Sequence, residues 1–115
     1  MGRLIFTIVL IFGIVFAQFP TAHAVDYYVG NHGRLQCYLM TETIRELRHY
    51  SDGGRFSARL KIVNKMIQYI DYELDIGTSG IMYKDSTGHS GEATPYDTPV
   101  VWNMSQYIAR NYLWR

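Results

Sequence analysis

The sequence predicts an α+β domain: a small antiparallel β-sheet of five or six strands, meander-like, with a C-terminal α-helix packed on one face and a signal peptide in front. Three observations predict it. From Phe56 to Ile62, and again from Ile70 to Ile76, apolar residues fall on every second position, the period of a half-buried strand. Turn-forming clusters such as Asn31-His32-Gly33, Gly77-Thr78-Ser79-Gly80 and Asp85-Ser86-Thr87-Gly88 punctuate the runs,. After Pro99 the period changes, and Val101, Met104, Ile108 and Tyr112 recur at helical spacing,.

The chain opens with Met1-Gly2-Arg3, one positive charge, and then a run from Leu4 to Phe19 that is almost wholly apolar. Pro20 breaks the run, and Ala22-His23-Ala24 supplies the small-x-small pattern that a signal peptidase reads in an extended backbone,. The apolar run is 16 residues long, short of the roughly 18 to 20 that span a bilayer. Residues 1–24 are therefore expected to be a cleaved signal peptide and residues 25–115 a single small α+β domain, secreted or periplasmic, with no membrane span in its mature form.

Each element has a local reason. Tyr27-Tyr28-Val29 and Leu35 to Thr41 read as two β-rich runs joined by a three-residue loop ending in Gly33, which would set Val29 opposite Leu35 and Tyr27 opposite Cys37. Thr43-Ile44-Arg45-Glu46 has the spacing of a helix capping box,, so Thr43 to Gly54 reads equally as a short helix or as an extended connection. Phe56, Ala58, Leu60 and Ile62 define the buried face of the next strand, and Ile70, Tyr72, Leu74 and Ile76 that of its partner. For both sets to share a face the loop near Asn64-Lys65 must have odd length, which sets Arg59 opposite Asp71 or Glu73. Beyond the next turn, Ile76 opposite Ile81 brings Leu74 to Tyr83 and Glu73 to Lys84. A short extended piece, His89 to Thr94, precedes Thr98 as N-cap and Pro99 at the first helical position,.

Composition narrows the function classes. The chain has 11 Lys and Arg and 10 Asp and Glu; Arg3 belongs to the leader, so the mature domain is balanced. A balanced charge gives no reason to expect nucleic acid as a partner. The one cysteine, Cys37, can form no intramolecular disulfide, and the domain must stand on its core. His32, His49 and His89 show no metal-binding spacing,, and no cofactor is expected. Gly88-His89-Ser90-Gly91 falls short of a nucleophile elbow, which also needs a larger parallel sheet,. Asp71, Glu73 and Asp75 lie about 6.5 to 7 Å apart along one strand and do not converge on an ion. Asn103-Met104-Ser105 matches a glycosylation acceptor but falls in the predicted helix,.

The compositional excess is aromatic. All ten tyrosines follow the leader, while four of the five Phe lie inside it. Tyr and Trp give large contact area at low entropic cost, and a core short of Phe also uses Tyr as its bulky residue. Tyr38, Tyr69, Tyr96, Trp102 and Trp114 are the candidate binding surface. The sequence thus points to a non-catalytic binding or interaction domain for an unknown protein or small ligand. The alternatives are a small metal-dependent or hydrolytic enzyme using His and carboxylate groups, and a structural accessory subunit of an envelope or surface complex. Mass spectrometry of protein from the native host should find the mature N-terminus at or near Val25; intact Met1 in the membrane fraction would contradict export by cleavage.

Overall fold

Six strands pair antiparallel in chain order: β1 Asp26–His32, β2 Leu35–Tyr50, β3 Gly53–Val63, β4 Ile67–Gly77, β5 Gly80–Asp85 and β6 Ser90–Glu92. The curled meander carries one α-helix, α1, Pro99–Ile108, which continues into a π-helical turn, Ala109–Leu113. The computed structural model describes residues 26–114. The expected signal peptide lies outside the described residues.

The centre of the sheet follows the alternation. Phe56, Ala58, Leu60 and Ile62 of β3 are buried on the inner face with Tyr72, Leu74 and Ile76 of β4. The three-residue turn Asn64-Lys65-Met66 puts Val63 opposite Ile67 and Arg59 opposite Asp71. Between β4 and β5, Ile76 meets Ile81, Leu74 meets Tyr83, and Glu73 meets Lys84. The outer face then pairs opposite charges strand by strand: Arg59 Nε to Asp71 at 2.7 Å, Arg55 to Asp75 at 3.1 Å and Lys84 to Glu73 at 3.7 Å. These pairs are solvent-exposed and act mainly on register and solubility,.

Two local readings change. The capping-box segment is strand: β2 runs through it, and the register jumps between Met40 and Arg45. Thr43 explains the jump, because its hydroxyl donates to the Met40 carbonyl at 2.6 Å and accepts the Arg59 amide at 2.8 Å. A side chain thus replaces the ladder bonds that the bulge removes, and Ile44 is turned into the core,. In β1 the turn is the two-residue Gly33-Arg34, with His32 opposite Leu35 and Tyr27 opposite Leu39. Gly33 has φ +64°, a conformation that glycine adopts without strain,. A second bulge between Tyr28 and Gly30 turns Val29 inward.

The helix lies on the inner face. Val100, Val101, Met104, Ser105 and Ile108 are buried, and Asn103 Nδ2 donates to the Val29 carbonyl at 2.8 Å, tying α1 to edge strand β1. Tyr27 and Tyr107 stack with ring centroids 4.5 Å apart on the same edge. Tyr112 stays partly exposed but sets its ring 5.7 Å from Phe56. Thr98 precedes the helix without capping it, since its hydroxyl is engaged by the Thr94 amide at 2.8 Å. The glycosylation-like triplet is spent on the fold: the Asn103 amide is bonded as above, and fully buried Ser105 donates to the Val101 carbonyl at 2.9 Å.

Ile108 is fully buried and Gln106 is not. Ile108→Ala should therefore destabilise the domain by about 2 to 5 kcal/mol, and Gln106→Ala by less than about 0.5 kcal/mol. Equal melting temperatures for the two variants would show that α1 is not part of the core.

Candidate functional site

The helix is ten residues long and the sheet it must cover is six strands wide. It rests chiefly on β1, with lighter contact to β2 and β5. The inner face of β3 and β4 near the β3–β4 turn is approached only by the first turn of α1. A cavity of about 430 Å³ opens there, within the range of small-molecule sites. Its floor is Cys37, Leu60, Ile62, Ile70 and Tyr72, and its roof is Pro99, Val100 and Val101 at the start of α1. His32, Asp85 and His89 stand at its rim, on the end of the meander that carries the β1–β2 and β5–β6 turns.

The polar side chains around this cavity include Tyr72, Asp85 and Asp97. Tyr72 is only 8% exposed. Asp85, Tyr83 and Cys37, which interact electrostatically with its hydroxyl, line the same cavity. No protein hydrogen bond reaches it among the described residues. Burial, reinforced by the Asp85 charge, pushes the phenol up to about 12 and keeps it a protonated donor,. The backbone N–H groups of Val100 and Val101, in the uncapped first turn of α1, are likewise without acceptors,.

Asp85 and Cys37 are both shifted by their surroundings. Burial works to raise Asp85, but bonds from the Thr87 hydroxyl at 2.6 Å and the Thr87 and His89 amides at 2.9 and 3.1 Å outweigh it and hold the carboxyl below its ordinary range. Asp85 thereby fastens its own turn. Burial pushes the Cys37 thiol up, away from thiolate chemistry,. His49 pairs with Glu46 at 3.1 Å near the opposite end of the sheet, so the three histidines do not meet. No three His, Cys, Asp or Glu side chains form a metal-binding group among the described residues. Ser90 begins β6, in no nucleophile turn.

The five aromatic candidates separate. Tyr38 and Tyr69 stand on the outer face in one cross-strand row with Lys61 between them. The Lys61 ammonium lies 5.8 Å from the Tyr38 ring centre, and the Arg59 guanidinium 5.7 Å from that of Tyr69. Tyr28 joins the row, its ring 5.5 Å from Tyr38. Lys61 also pairs with Asp26. Tyr96 is 90% exposed in the loop before α1, Trp114 is exposed beside the β2–β3 turn, and Trp102 is partly buried against the core. Sequence reasoning placed Tyr72 on the buried face but gave no sign of its unpaired hydroxyl, because a missing partner is a property of all the neighbours together.

An unpaired buried hydroxyl costs about 1 to 3 kcal/mol. Tyr72→Phe should leave stability at pH 7 unchanged or raised by up to about 2 kcal/mol. The folded phenol holds its proton between its ordinary 10.0 and about 12, where the unfolded chain releases it. Its contribution is complete below pH 10 and lost as pH rises through 12. Urea unfolding of wild type and variant at pH 7 to 12 should show the alkaline loss blunted in Tyr72→Phe; a variant destabilised at pH 7 would reveal a hydrogen bond at this hydroxyl. Compared with known proteins, the chain matches no protein-family model, no curated protein and no solved structure.

Proposed function

We propose that the chain is a small exported, non-catalytic binding domain whose ligand occupies the cavity between the sheet and the first turn of α1. The observation that carries this reading is the cavity's make-up, a mainly apolar lining that includes the buried Tyr72, whose hydroxyl has no hydrogen bond among the described residues. Ligand sites have this composition, since apolar contact supplies affinity and a few placed polar groups fix orientation. Binding is favoured over hydrolysis because the groups that would do chemistry are committed elsewhere: the Cys37 thiol is pushed up by burial and Asp85 is bonded by its own turn.

A second reading rests on the outer face. The row Tyr28, Tyr38, Lys61 and Tyr69 joins aromatic rings to cations on an exposed sheet surface, a composition enriched at protein contacts. It supports the role of an accessory subunit docking by that face, and it is compatible with a ligand on the other.

The neutral dye N-phenyl-1-naphthylamine tests the first reading. Its fluorescence should rise on titration and saturate near one dye per chain. Ile62→Trp, which fills the cavity floor, should abolish the rise, while Tyr38→Ala should not. Dye binding unaffected by Ile62→Trp would place the apolar site elsewhere and remove the basis for this function.

A further inference from the structure

We infer that the cavity under the first turn of α1 takes an organic ammonium ion, an apolar amine whose protonated nitrogen pairs with the Asp85 carboxylate. The inference rests on the small-ligand reading above and names the class of ligand.

Asp85 lines the cavity, and only 5% of its side-chain surface is exposed. Its two oxygens are used unequally. Oδ1 accepts from the Thr87 hydroxyl at 2.6 Å and from the Thr87 and His89 amides at 2.9 and 3.1 Å. Oδ2 accepts no hydrogen bond among the described residues. The turn therefore needs one acceptor oxygen, which an asparagine side chain would also supply. The negative charge and the second oxygen are surplus to the turn, and a buried carboxylate short of partners costs free energy. His89 does not meet that need: its Nδ1 stands 3.9 Å from Oδ1, its side chain is exposed, and it is engaged with the Thr87 hydroxyl at 2.8 Å. An ammonium N–H would give Oδ2 a charge-assisted hydrogen bond that the fold itself withholds.

The rest of the lining favours the same sign. Asp97 borders the cavity from the loop before α1, and its carboxylate has neither ion pair nor hydrogen bond among the described residues. No Lys or Arg lines the space; its basic residues are His32 and His89. The start of α1 adds roughly half a positive unit, against two carboxylates. A ligand carboxylate would meet like charge in a poorly solvated place, whereas a cation is drawn in. Tyr72 and Tyr83 also line the cavity, with ring centroids 6.2 Å apart and planes inclined by 44°, and aromatic faces attract cations.

The cation is organic because the remaining walls are not built for a metal. A hard ion such as calcium takes about six to eight oxygen ligands, and no three His, Cys, Asp or Glu side chains group to hold one among the described residues. Leu60, Ile62, Ile70 and Val101 offer hydrophobic contact alone, so the body of the ligand is hydrocarbon. Alkyl and arylalkyl amines combine the two halves.

Displacement of N-phenyl-1-naphthylamine at pH 8 provides the test, with octylamine, 1-octanol and octanoate as competitors that share a chain and differ in charge. Octylamine should displace the dye at a concentration about 10-fold below that of octanol, and octanoate should be the weakest. Asp85→Asn keeps the acceptor of the turn and should weaken octylamine about 10- to 100-fold, the worth of one hydrogen bond between charged groups, with octanol changed by less than about 2-fold. Asp75→Asn removes the same charge from the outer face and should alter neither. Octanol or octanoate matching octylamine on the wild-type protein would overturn the ammonium assignment while leaving the cavity as the site, and this comparison stands even if Asp85→Asn fails to fold and loses the dye. An octylamine affinity indifferent to a folded Asp85→Asn, or weakened equally by Asp75→Asn, would overturn it too. Failure of the dye to bind the wild-type protein would remove the cavity reading itself.

Discussion

A ten-residue helix has to close the inner face of a six-stranded sheet, and most of this molecule follows from that mismatch. With no disulfide available to the described chain, stability depends on burying one apolar face. The helix covers the part nearest β1, where the Asn103 to Val29 bond and the Tyr27–Tyr107 contact hold it. Met104, Ile108 and Ala109 complete the seal there, all fully buried. Towards its first turn the helix runs out of length, and β3 and β4 keep a stretch of inner face beneath Val100 and Val101 that no element fills. The cavity is thus a consequence of element lengths.

The turn between β5 and β6 supplies the remaining wall. Asp85 collects the Thr87 and His89 groups and fixes the loop that stands opposite the helix start. On the far face of the sheet, the charge pairs from Arg55–Asp75 to Arg59–Asp71 specify a single register, and a slip of one residue would place both Tyr72 and its neighbours on the wrong side. The geometry of the cavity floor is therefore held by side chains that never touch it.

Much of the fold was legible in the sequence, because period-two runs with an odd loop between them allow only one sharing of faces. That reasoning yields Leu74 opposite Tyr83 and Arg59 opposite Asp71 or Glu73, of which the structure takes Asp71. It leaves Thr43–Glu46 open, because a capping-box pattern and a bulged strand look alike until the Arg59 amide in the neighbouring strand claims the Thr43 hydroxyl. It puts Val29 on the buried face, where it lies, but misses the bulge after Tyr28 and with it the register of β1 on β2. The aromatic excess marked Tyr38 and Tyr69, which do share a row, but also Trp102, which the core half covers. The cavity was not legible at all. Its lining comes from β1 to β5, the β5–β6 turn, the loop before α1 and α1 itself, and an unfilled space between elements has no sequence signal.

The central claim is that a ligand-sized apolar space lies under the first turn of α1. Xenon enters such spaces without needing any hydrogen bond, so methyl-resolved NMR of the protein under xenon pressure tests the claim most directly. The account predicts saturable shifts confined to the methyls of Leu60, Ile62, Ile70, Val100 and Val101, with those of Leu39 and Ile108 unmoved. Shifts absent from the first group, or spread evenly over both, would contradict it.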